Sequence, residues 1–592
     1  MAMRRGVVFV LVLIAIAIVG SLAAVFLMSM VASRGPVIPA SASLVLRPGG
    51  EILEAAPGDV VGALLGREAA TVRGFVDSLR KAKRDRRITS VILQPSTLEL
   101  PYWAKVQEMR DAVLDFKESG KPIVAFLEYG GDREYYLASA ADKVFLVPTS
   151  PLDLTGVASY EIFLGGMFDK IGASPDYQKI GAYKTAVNQL EERGFTPAHR
   201  EMTESLNRDM YAQLVRGIAE SRKKSEADVR ALFDRGPFIG REALEAGLVD
   251  DLVYEDQLDD RLPVLKDDGK TVRKIEGSTY RGVSERAVGF RPRSRIAIIY
   301  AVGTIVSGRS QYDPLNGALA GSDTLVRQIR RVRDDRSIDA IILRVDSPGG
   351  SSVASDVIWR ELMITRDARP ERPLITSMSD LAASGGYYIS MPGHVIVAQP
   401  GTLTGSIGIY TGKVALGGTL EKLGVNHDKV VSGANGDIYS PFERFTEPQR
   451  ARIDAIIGDF YKDFVAKAAQ SRRKTPEQID AVAQGRVWTG QQAKEVGLVD
   501  ELGGLDVAIR IAKERANIDA DEDVELVVYP PRRSLYQALT EDFGGLTTGS
   551  GASVWELLAH GRDARAVAAL TAPIRIFRRG EPLALMPFTF VR

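Results

Sequence analysis

The sequence repeats itself at a spacing of 250 residues, and this duplication constrains the fold more than any other feature. The corresponding segments are 85–93 with 335–343, 221–224 with 471–474, 247–250 with 497–500 and, with offsets that drift by one or two residues, Tyr135 with Tyr387 and Thr155 with Thr404. Offsets that small indicate short loop insertions within one shared fold. The body of the chain is therefore predicted to be two copies of one domain.

The two copies define the domain organisation. A stretch rich in Arg, Gly and Pro at 280–295 marks the junction between them. We expect an N-terminal segment at 1–35, a first repeat at 36–290, a second repeat at 291–530 and a C-terminal extension at 531–592. The extension contains no motif that indicates a function.

Within a copy, strand-like and helix-like segments alternate. Residues 295–306, 340–345 and 374–378 are short runs rich in β-branched residues, and residues 324–333 have the apolar spacing of a helix. This alternation predicts an α/β fold built from βαβ units around a mainly parallel sheet. In such sheets ligands bind at the carboxyl ends of the strands.

Composition excludes several classes of function. The 76 basic residues balance the 76 acidic ones, whereas nucleic-acid binders normally carry a basic excess. The chain has no cysteine, which rules out disulfides, zinc–thiolate sites and a thiol nucleophile. Its four histidines leave little room for a His-rich metal centre or a Ser-His-Asp triad. We therefore predict no metal and no cofactor.

The N-terminus is predicted to be a membrane anchor. Residues 6–33 carry no charge, and about 20 apolar residues suffice to cross a bilayer. The alternative is a cleaved signal peptide, whose apolar region is only about 7–15 residues long. Arg4 and Arg5 precede the segment and Arg34 follows it, which favours a cytoplasmic N-terminus. The remainder of the chain would lie across the membrane from the cytoplasm.

Two glycine-flanked turns of the second repeat follow predicted strands. Residues 346–351 (DSPGGS) follow the strand at 340–345, and paired glycines allow backbone N–H groups to reach a ligand oxygen. Residues 382–388 (AASGGYY) place Ser384 at the start of a helix, where developing negative charge is favoured. The alternatives are a plain strand-to-helix turn and an N-cap serine. Ala382 excludes the Gly-x-Ser-x-Gly elbow of α/β-hydrolases.

A nucleophilic serine needs a base, and Lys184 is the candidate. Its neighbours at 180–187 (IGAYKTAV) are small or apolar, with no acidic residue within four positions. To act as a base its pKa must fall from ~10.4 toward ~7, which costs roughly 4–5 kcal/mol and requires burial. The alternative is an ordinary solvated lysine.

The repeat relates these two candidates. The first-repeat counterpart of Ser384 is Asp132, and the second-repeat counterpart of Lys184 is Gly436. One copy therefore holds the lysine without the serine, and the other holds the serine without the lysine. This pattern is expected if one composite site spans both copies; independent decay of one copy is the alternative.

From the N-terminal segment at 1–35 to about residue 530, the chain resembles the long form of the signal peptide peptidase A family (protease IV). Members of this family are membrane-anchored serine proteases of the ClpP/crotonase-like superfamily. The matching motifs are 183–186 (YKTA), 347–350 (SPGG), 382–388 (AASGGYY) and 402–408 (TLTGSIG). The resemblance implies tandem ClpP/crotonase-like domains, a bacterial inner-membrane location with the body on the periplasmic side, and a homo-oligomer such as a tetramer. Its implied substrates are apolar peptides, in particular residual signal peptides.

The resemblance also implies roles for individual residues. Ser384 would be the nucleophile and Lys184 the general base of a Ser-Lys dyad. Gly385 and either Gly350 or Gly349 would form the oxyanion hole. Ser406 would orient the lysine.

Two other functions are compatible with the same fold. One is a crotonase-like acyl-CoA enzyme, which typically relies on carboxylate catalysts. The other is a catalytically inactive membrane scaffold, because a fold does not fix a function.

Overall fold

The computed structural model describes residues 20, 36–55, 70–261, 266–267, 270–313, 317–530, 577, 580–587 and 590–591. Apart from Gly20, the predicted anchor at 1–35 lies outside the described residues, as does most of the extension at 531–592. Within the described residues, no helix combines the length and the apolar character that crossing a bilayer requires.

The first repeat is built around a six-stranded sheet in which all neighbouring strands are parallel. Its strands, in spatial order, are Asp251–Leu252, Lys143–Leu146, Ile123–Leu127, Ile88–Leu93, Ala42–Leu46 and Arg273–Glu276. Their side chains are largely buried, as expected for a parallel sheet covered on both faces.

The second repeat is built around an eight-stranded sheet of the same kind. Its main path is Val487–Thr489, Leu403–Gly405, Leu374–Ala383, Ala340–Ser347, Ser294–Val302 and Val524–Tyr529. Val395–Ala398 branches from Leu374–Ala383, and Glu501–Leu502 pairs with Val395–Ala398. All pairs are parallel except that of the first two strands on the path. The predicted α/β class and mainly parallel sheets are confirmed.

A third, seven-stranded sheet joins both repeats and the C-terminal region. Its order is Gln311–Asp313, Gly317–Gly321, Thr304–Val306, Gly349–Ser351, Leu583–Leu585, Ile409–Ala415 and Ser174–Ile180. A three-stranded sheet has the order Gly130–Gly131, Pro151–Asp153 and Phe238–Ile239. Two further sheets have two strands each: Lys266–Asp267 with Lys270–Thr271, and Ser159–Tyr160 with Phe590–Val591.

Helices surround these sheets. Those of the first repeat are Val72–Arg84, Ala104–Lys117, Asp132–Ala138, Gly165–Ile171, Asn188–Glu191, Pro197–Arg222, Glu226–Arg235, Gly240–Glu245, Leu258–Arg261 and Gly277–Arg281, with 3₁₀ turns at Glu255–Gln257 and Glu285–Val288. Those of the second are Ser322–Asp334, Ser352–Ala368, Gly385–Ser390, Gly417–Lys422, Glu447–Arg472, Pro476–Asp480, Gly490–Glu495 and Leu505–Arg515.

One predicted strand is divided in two. The apolar run at 295–306 forms Ser294–Val302 in the second parallel sheet and Thr304–Val306 in the joining sheet. Gly303 separates them with a φ of +93°, and a Cβ there would lie 1.8 Å from Ala318 O. Only glycine fits this bend, which directs one continuous run into two sheets.

The duplication extends to hydrogen bonds between distant positions. Tyr135 Oη donates to Leu248 O at 2.7 Å, and Tyr387 Oη donates to Leu498 O at 3.0 Å. The 26-residue helices Pro197–Arg222 and Glu447–Arg472 also correspond. Each has a proline in its first turn and ends at a residue with a φ of 52°. The two-copy prediction is confirmed in these details.

Buried ion pairs connect the two repeats. The Arg344 guanidinium, fully buried, contacts Glu54 at 2.7 Å and Glu108 at 2.6 Å. Both carboxylates belong to the N-terminal half, whereas Arg344 lies in the second sheet. A buried charge must be compensated, so these contacts hold the repeats in one relative position.

Candidate active site

Ser384 lies at the junction of the strand Leu374–Ala383 and the helix Gly385–Ser390. Its backbone has φ 55° and ψ −111°, a conformation that costs a non-glycine residue free energy. The Ser384 N–H donates to Gly405 O at 2.8 Å, which holds this strained turn in place. The side chain is fully buried. The predicted position at the start of a helix is confirmed.

Lys184 reaches the second repeat through strand pairing. The strand Ser174–Ile180 runs antiparallel to Ile409–Ala415, with Ile180 opposite Ile409. Four residues after Ile180, the backbone of Lys184 packs on Gly485, where a Cβ would lie 2.5 Å from Lys184 N. Strand pairing and a close backbone approach therefore fix where the lysine enters the second repeat.

The two side chains meet in the protein interior. Lys184 Nζ lies 2.8 Å from Ser384 Oγ, 3.1 Å from Ser406 Oγ and 3.2 Å from Ser406 O. All three residues are fully buried. Burial lowers the pKa of the Lys184 ammonium well below its ordinary value, because the charged form loses its hydration. This arrangement favours a neutral amine that can accept a proton from the hydroxyl.

The glycine turn approaches Ser384 from the neighbouring strand. Gly349 and Gly350 have φ of +102° and +155°, and a Cβ on Gly349 would lie 2.7 Å from Gly385 N. The Gly349 N–H donates to Ser347 Oγ at 3.2 Å. The predicted glycines are therefore adjacent in space, but the Gly349 N–H is already engaged within its own turn.

Lysine and carboxylate side chains that the sequence reasoning missed support this turn. Lys105 Nζ contacts Asp346 at 2.7 Å and Asp380 at 3.4 Å, and all three side chains are largely buried. Asp346 also accepts from Leu381 N at 3.1 Å. These contacts tie the strand before Ser384 to the strand before the glycines. The one sequence signal for them is an aspartate at the end of each apolar strand.

The C-terminal strand Leu583–Leu585 was also missed. It pairs antiparallel with Gly349–Ser351 on one side and through Leu583 with Tyr410 on the other. It carries no sequence motif, because pairing of this kind uses backbone groups that every residue has. The extension, which contains no motif that indicates a function, thus contributes a strand beside the candidate site.

Three of the four histidines lie among the described residues, and these three make contacts elsewhere. His199 Nε2 lies 2.7 Å from Glu161, the His394 ring bonds the backbone of Leu374, and His427 stacks on Phe442. Among the described residues, the base within hydrogen-bond distance of Ser384 is Lys184.

The fold and the site define a duplicated α/β protein with a serine–lysine pair where its two copies meet. Peptidase family S49 matches residues 115–267 and 366–519, one segment in each copy. The chain belongs to this family.

Curated relatives agree with this assignment. The chain is 38% identical over 453 residues to the chloroplastic serine protease SPPA of Arabidopsis thaliana, covering 76% of this chain and 66% of that protein. It is 35% identical over 452 residues to Protease 4 of Salmonella typhi, covering 75% and 72%. It is 31% identical over 467 residues to Protease 4 of Haemophilus influenzae, covering 76% and 74%. These relatives support a serine protease of family S49.

Proposed function

We propose that the chain is a membrane-anchored serine endopeptidase that degrades apolar peptides such as residual signal peptides. The observation that carries the proposal is the 2.8 Å separation of Lys184 Nζ and Ser384 Oγ at full burial. A lysine can serve as a general base only where its ammonium is destabilised, and burial depresses its pKa here. Family membership supports the same chemistry.

The reaction begins when neutral Lys184 takes the Ser384 proton as Oγ bonds to a peptide carbonyl carbon. The carbonyl oxygen becomes an oxyanion that accepts hydrogen bonds from backbone N–H groups. When the C–N bond breaks, the Lys184 ammonium returns its proton to the leaving amine and an acyl-enzyme remains. Lys184 then takes a proton from a water molecule as the water oxygen bonds to the acyl carbon. When the C–Oγ bond breaks, the Lys184 ammonium returns the proton to Ser384 Oγ, which releases the acid and restores the serine.

We assign the oxyanion donors to Gly385 and Gly350. Gly350 is preferred to Gly349 because the Gly349 N–H already donates to Ser347 Oγ at 3.2 Å. Ser406 Oγ, 3.1 Å from Lys184 Nζ, orients the amine. No metal or cofactor takes part in the proposed steps.

The proposal includes the domain and membrane organisation. Residues 1–35 would anchor the protein in a bacterial inner membrane, with 36–290 and 291–530 as ClpP/crotonase-like repeats on the periplasmic side and 531–592 as an extension. Several copies would associate, with a tetramer as the expected assembly. The anchor would keep the protease beside substrates that remain in the bilayer.

The proposal is tested with the full chain in detergent and a fluorogenic apolar peptide. Ser384→Ala and Lys184→Ala should each abolish cleavage. Ser390→Ala, a buried serine on the same helix whose hydroxyl donates to Gly386 O, is the matched control and should retain it. Near-wild-type cleavage by either dyad variant would overturn the assignment.

A serine-reactive phosphonate separates the remaining functions. Labelling of wild type at Ser384, lost in Ser384→Ala and Lys184→Ala, is the expected result. A protein that neither reacts nor cleaves any peptide would be a scaffold. Turnover of acyl-CoA thioesters without serine labelling would identify a crotonase-like enzyme.

A further inference from the structure

Residues 581–587 lie as an extended peptide between two strands of the candidate site. The Ser352 N–H and Oγ–H donate to Pro582 O at 3.2 and 2.9 Å. The Thr411 hydroxyl donates to Glu581 O at 3.1 Å from the other side. Backbone pairing on both sides is how proteins bind extended peptides without regard to sequence. The groove therefore has the geometry of a peptide-binding site, and the chain itself supplies an occupant.

The register of this peptide places one carbonyl at the glycine turn. The Met586 N–H donates to Pro348 O at 3.0 Å, and the Ser352 N–H donates to Pro582 O. Hydrogen-bonded pairs alternate along antiparallel strands, so Gly350 and Ala584, which face each other, are the pair between these two. The Ala584 carbonyl therefore accepts from the Gly350 N–H, the proposed oxyanion donor.

A second distance agrees with this register. A Cβ on Gly349 would lie 2.0 Å from Ala584 O and 2.7 Å from Gly385 N. The Ala584 oxygen and the Gly385 N–H therefore lie on the same side of Gly349, next to the turn that carries Gly350. By position, Ala584 corresponds to the residue whose carbonyl is attacked, and Leu585 and Met586 correspond to the first two residues of the leaving fragment.

Side chains of the peptide alternate between two apolar environments, as in any strand. Leu583 and Leu585 pack in one cluster with Val187 and Tyr410. Met586 packs instead with the core of the first repeat. The small residue Ala584 sits where the peptide backbone approaches the glycines most closely.

The cavity beside Met586, here called the methionine pocket, is built by both repeats. Its apolar lining is Met202, Leu206, Met210, Leu403, Val487, Met586 and Pro587. The first three belong to the helix Pro197–Arg222 of the first repeat, and Leu403 and Val487 belong to strands of the second. Methionine side chains adapt to ligands of different shape, which suits a pocket that receives varied apolar residues.

We propose that the methionine pocket is the subsite for the second residue of the leaving fragment. It selects extended peptides that carry a small residue at the cleaved carbonyl and an unbranched apolar residue two positions later. The inference deepens the proposed function and depends on it. Specificity would then come jointly from the two repeats, as the serine–lysine pair does.

The test uses the full chain and two fluorogenic peptides that share Ala at the cleaved carbonyl. One carries Met and the other Glu at the second leaving position, and mass spectrometry identifies the cleaved bond. Loss of one apolar pocket contact costs about tenfold or more in kcat/KM, so wild type should prefer the Met peptide by at least that factor. A third peptide has the composition of the Glu peptide, but its Glu stands at the N-terminus and not at the second leaving position. It should be cleaved like the Met peptide.

A charge introduced at the pocket rim provides the decisive variant. Leu206 is half-buried, and Leu206→Lys should reverse part of the preference by raising kcat/KM for the Glu peptide relative to the Met peptide. Leu232→Lys is the matched control, because Leu232 is half-buried against the same core and does not line the pocket. A ratio of two substrates is insensitive to partial misfolding.

The outcomes separate the subsite from the proposed function. Cleavage with equal rates for both peptides, unchanged by Leu206→Lys, would overturn the subsite while the protease remains. If wild type and Ser384→Ala are equally inactive on every peptide, the proposed function fails as well. A reversed preference in Leu206→Lys alone is the supporting result.

Discussion

Lys184 Nζ and Ser384 Oγ lie 2.8 Å apart although 200 residues separate them in the chain. The lysine belongs to the first repeat and the serine to the second, so a single chain brings both groups together. Neither repeat has the complete pair, and their contact depends on the strand Ser174–Ile180 crossing to Ile409–Ala415. The two repeats therefore contribute one side chain each to a single site.

The pH dependence of cleavage should report the Lys184 amine. Burial lowers its pKa below the ordinary value of 10.5, and only the neutral form can accept the serine proton. The rate should therefore rise with pH and level off well below pH 10.5. Ser406→Ala removes an acceptor 3.1 Å from Nζ that favours the ammonium, so the acid limb of the kcat/KM profile should move to lower pH while its plateau falls about tenfold.

The measurement is kcat/KM for the apolar peptide across the pH range, for wild type and Ser406→Ala. If Ser406→Ala only disturbed the structure, kcat/KM would fall but the acid limb of its pH profile would stay at the same pH. An acid limb at the ordinary lysine value in wild type would contradict a buried neutral base.

The free energy of unfolding should respond in opposite directions when two buried lysines are replaced. Lys184→Met should raise the Tm by several degrees, because it removes an amine that burial penalises. Lys105→Met should lower the free energy of unfolding by about 3–5 kcal/mol, because Asp346 and Asp380 would remain buried without their cation. Differential scanning calorimetry of the full chain measures both changes.

The sign of the pH effect provides a further check on Lys184→Met. The unfolded chain holds the Lys184 proton up to pH 10.5, whereas the folded chain loses it at lower pH. As pH rises toward 10.5, the free energy of unfolding of wild type should therefore increase relative to that of Lys184→Met. The difference between their Tm values should become smaller. A gap that widens with pH would mean that the folded lysine is charged.

Much of the fold follows from periodic features of the sequence. The 250-residue repeat, the β-branched runs and the glycine turns located the parallel strands and the position of Ser384, because each reflects a local backbone requirement. Gly303 shows the limit of this reasoning. Whether one apolar run continues or bends into a second sheet depends on how close Ala318 lies, which local sequence does not encode.

Other parts of the site depend on contacts between distant segments. Lys105 lies 241 positions before Asp346 in a helix whose sequence carries no motif, so only the packed structure identifies the pair. The strand Leu583–Leu585 binds through its backbone and therefore carries no distinctive residues. Such features require the tertiary structure.

Peptide binding should require that residue 349 has no side chain. A Cβ on this residue would lie 2.0 Å from Ala584 O, so Gly349→Ala would displace any peptide bound in the same register. A displacement of about 1 Å costs on the order of a hundredfold in rate. Gly194→Ala is the control, because nothing lies within 4 Å of its Cβ position.

Activity on the apolar peptide is measured for both glycine variants, with Tm as a test of folding. We expect loss of cleavage in Gly349→Ala together with a Tm below that of the control, because the added Cβ would also lie 2.7 Å from Gly385 N and the φ of +102° is strained for alanine. Full activity in Gly349→Ala would show that substrates do not follow the path of residues 581–587.

Release of the C-terminal peptide should expose the serine. Ser384 is fully buried in the described structure, and Leu583–Leu585 lies on the strand beside it. Met586→Glu would bury a carboxylate in the methionine pocket, which favours departure of the peptide. Each 1.4 kcal/mol lost from its binding is a factor of ten in occupancy, so labelling of Ser384 by a fluorophosphonate should accelerate on the order of tenfold.

Ile239→Glu, at a side chain already 54% exposed, is the matched control and should label like wild type. Equal labelling rates in Met586→Glu and wild type would mean that residues 581–587 do not limit access to Ser384.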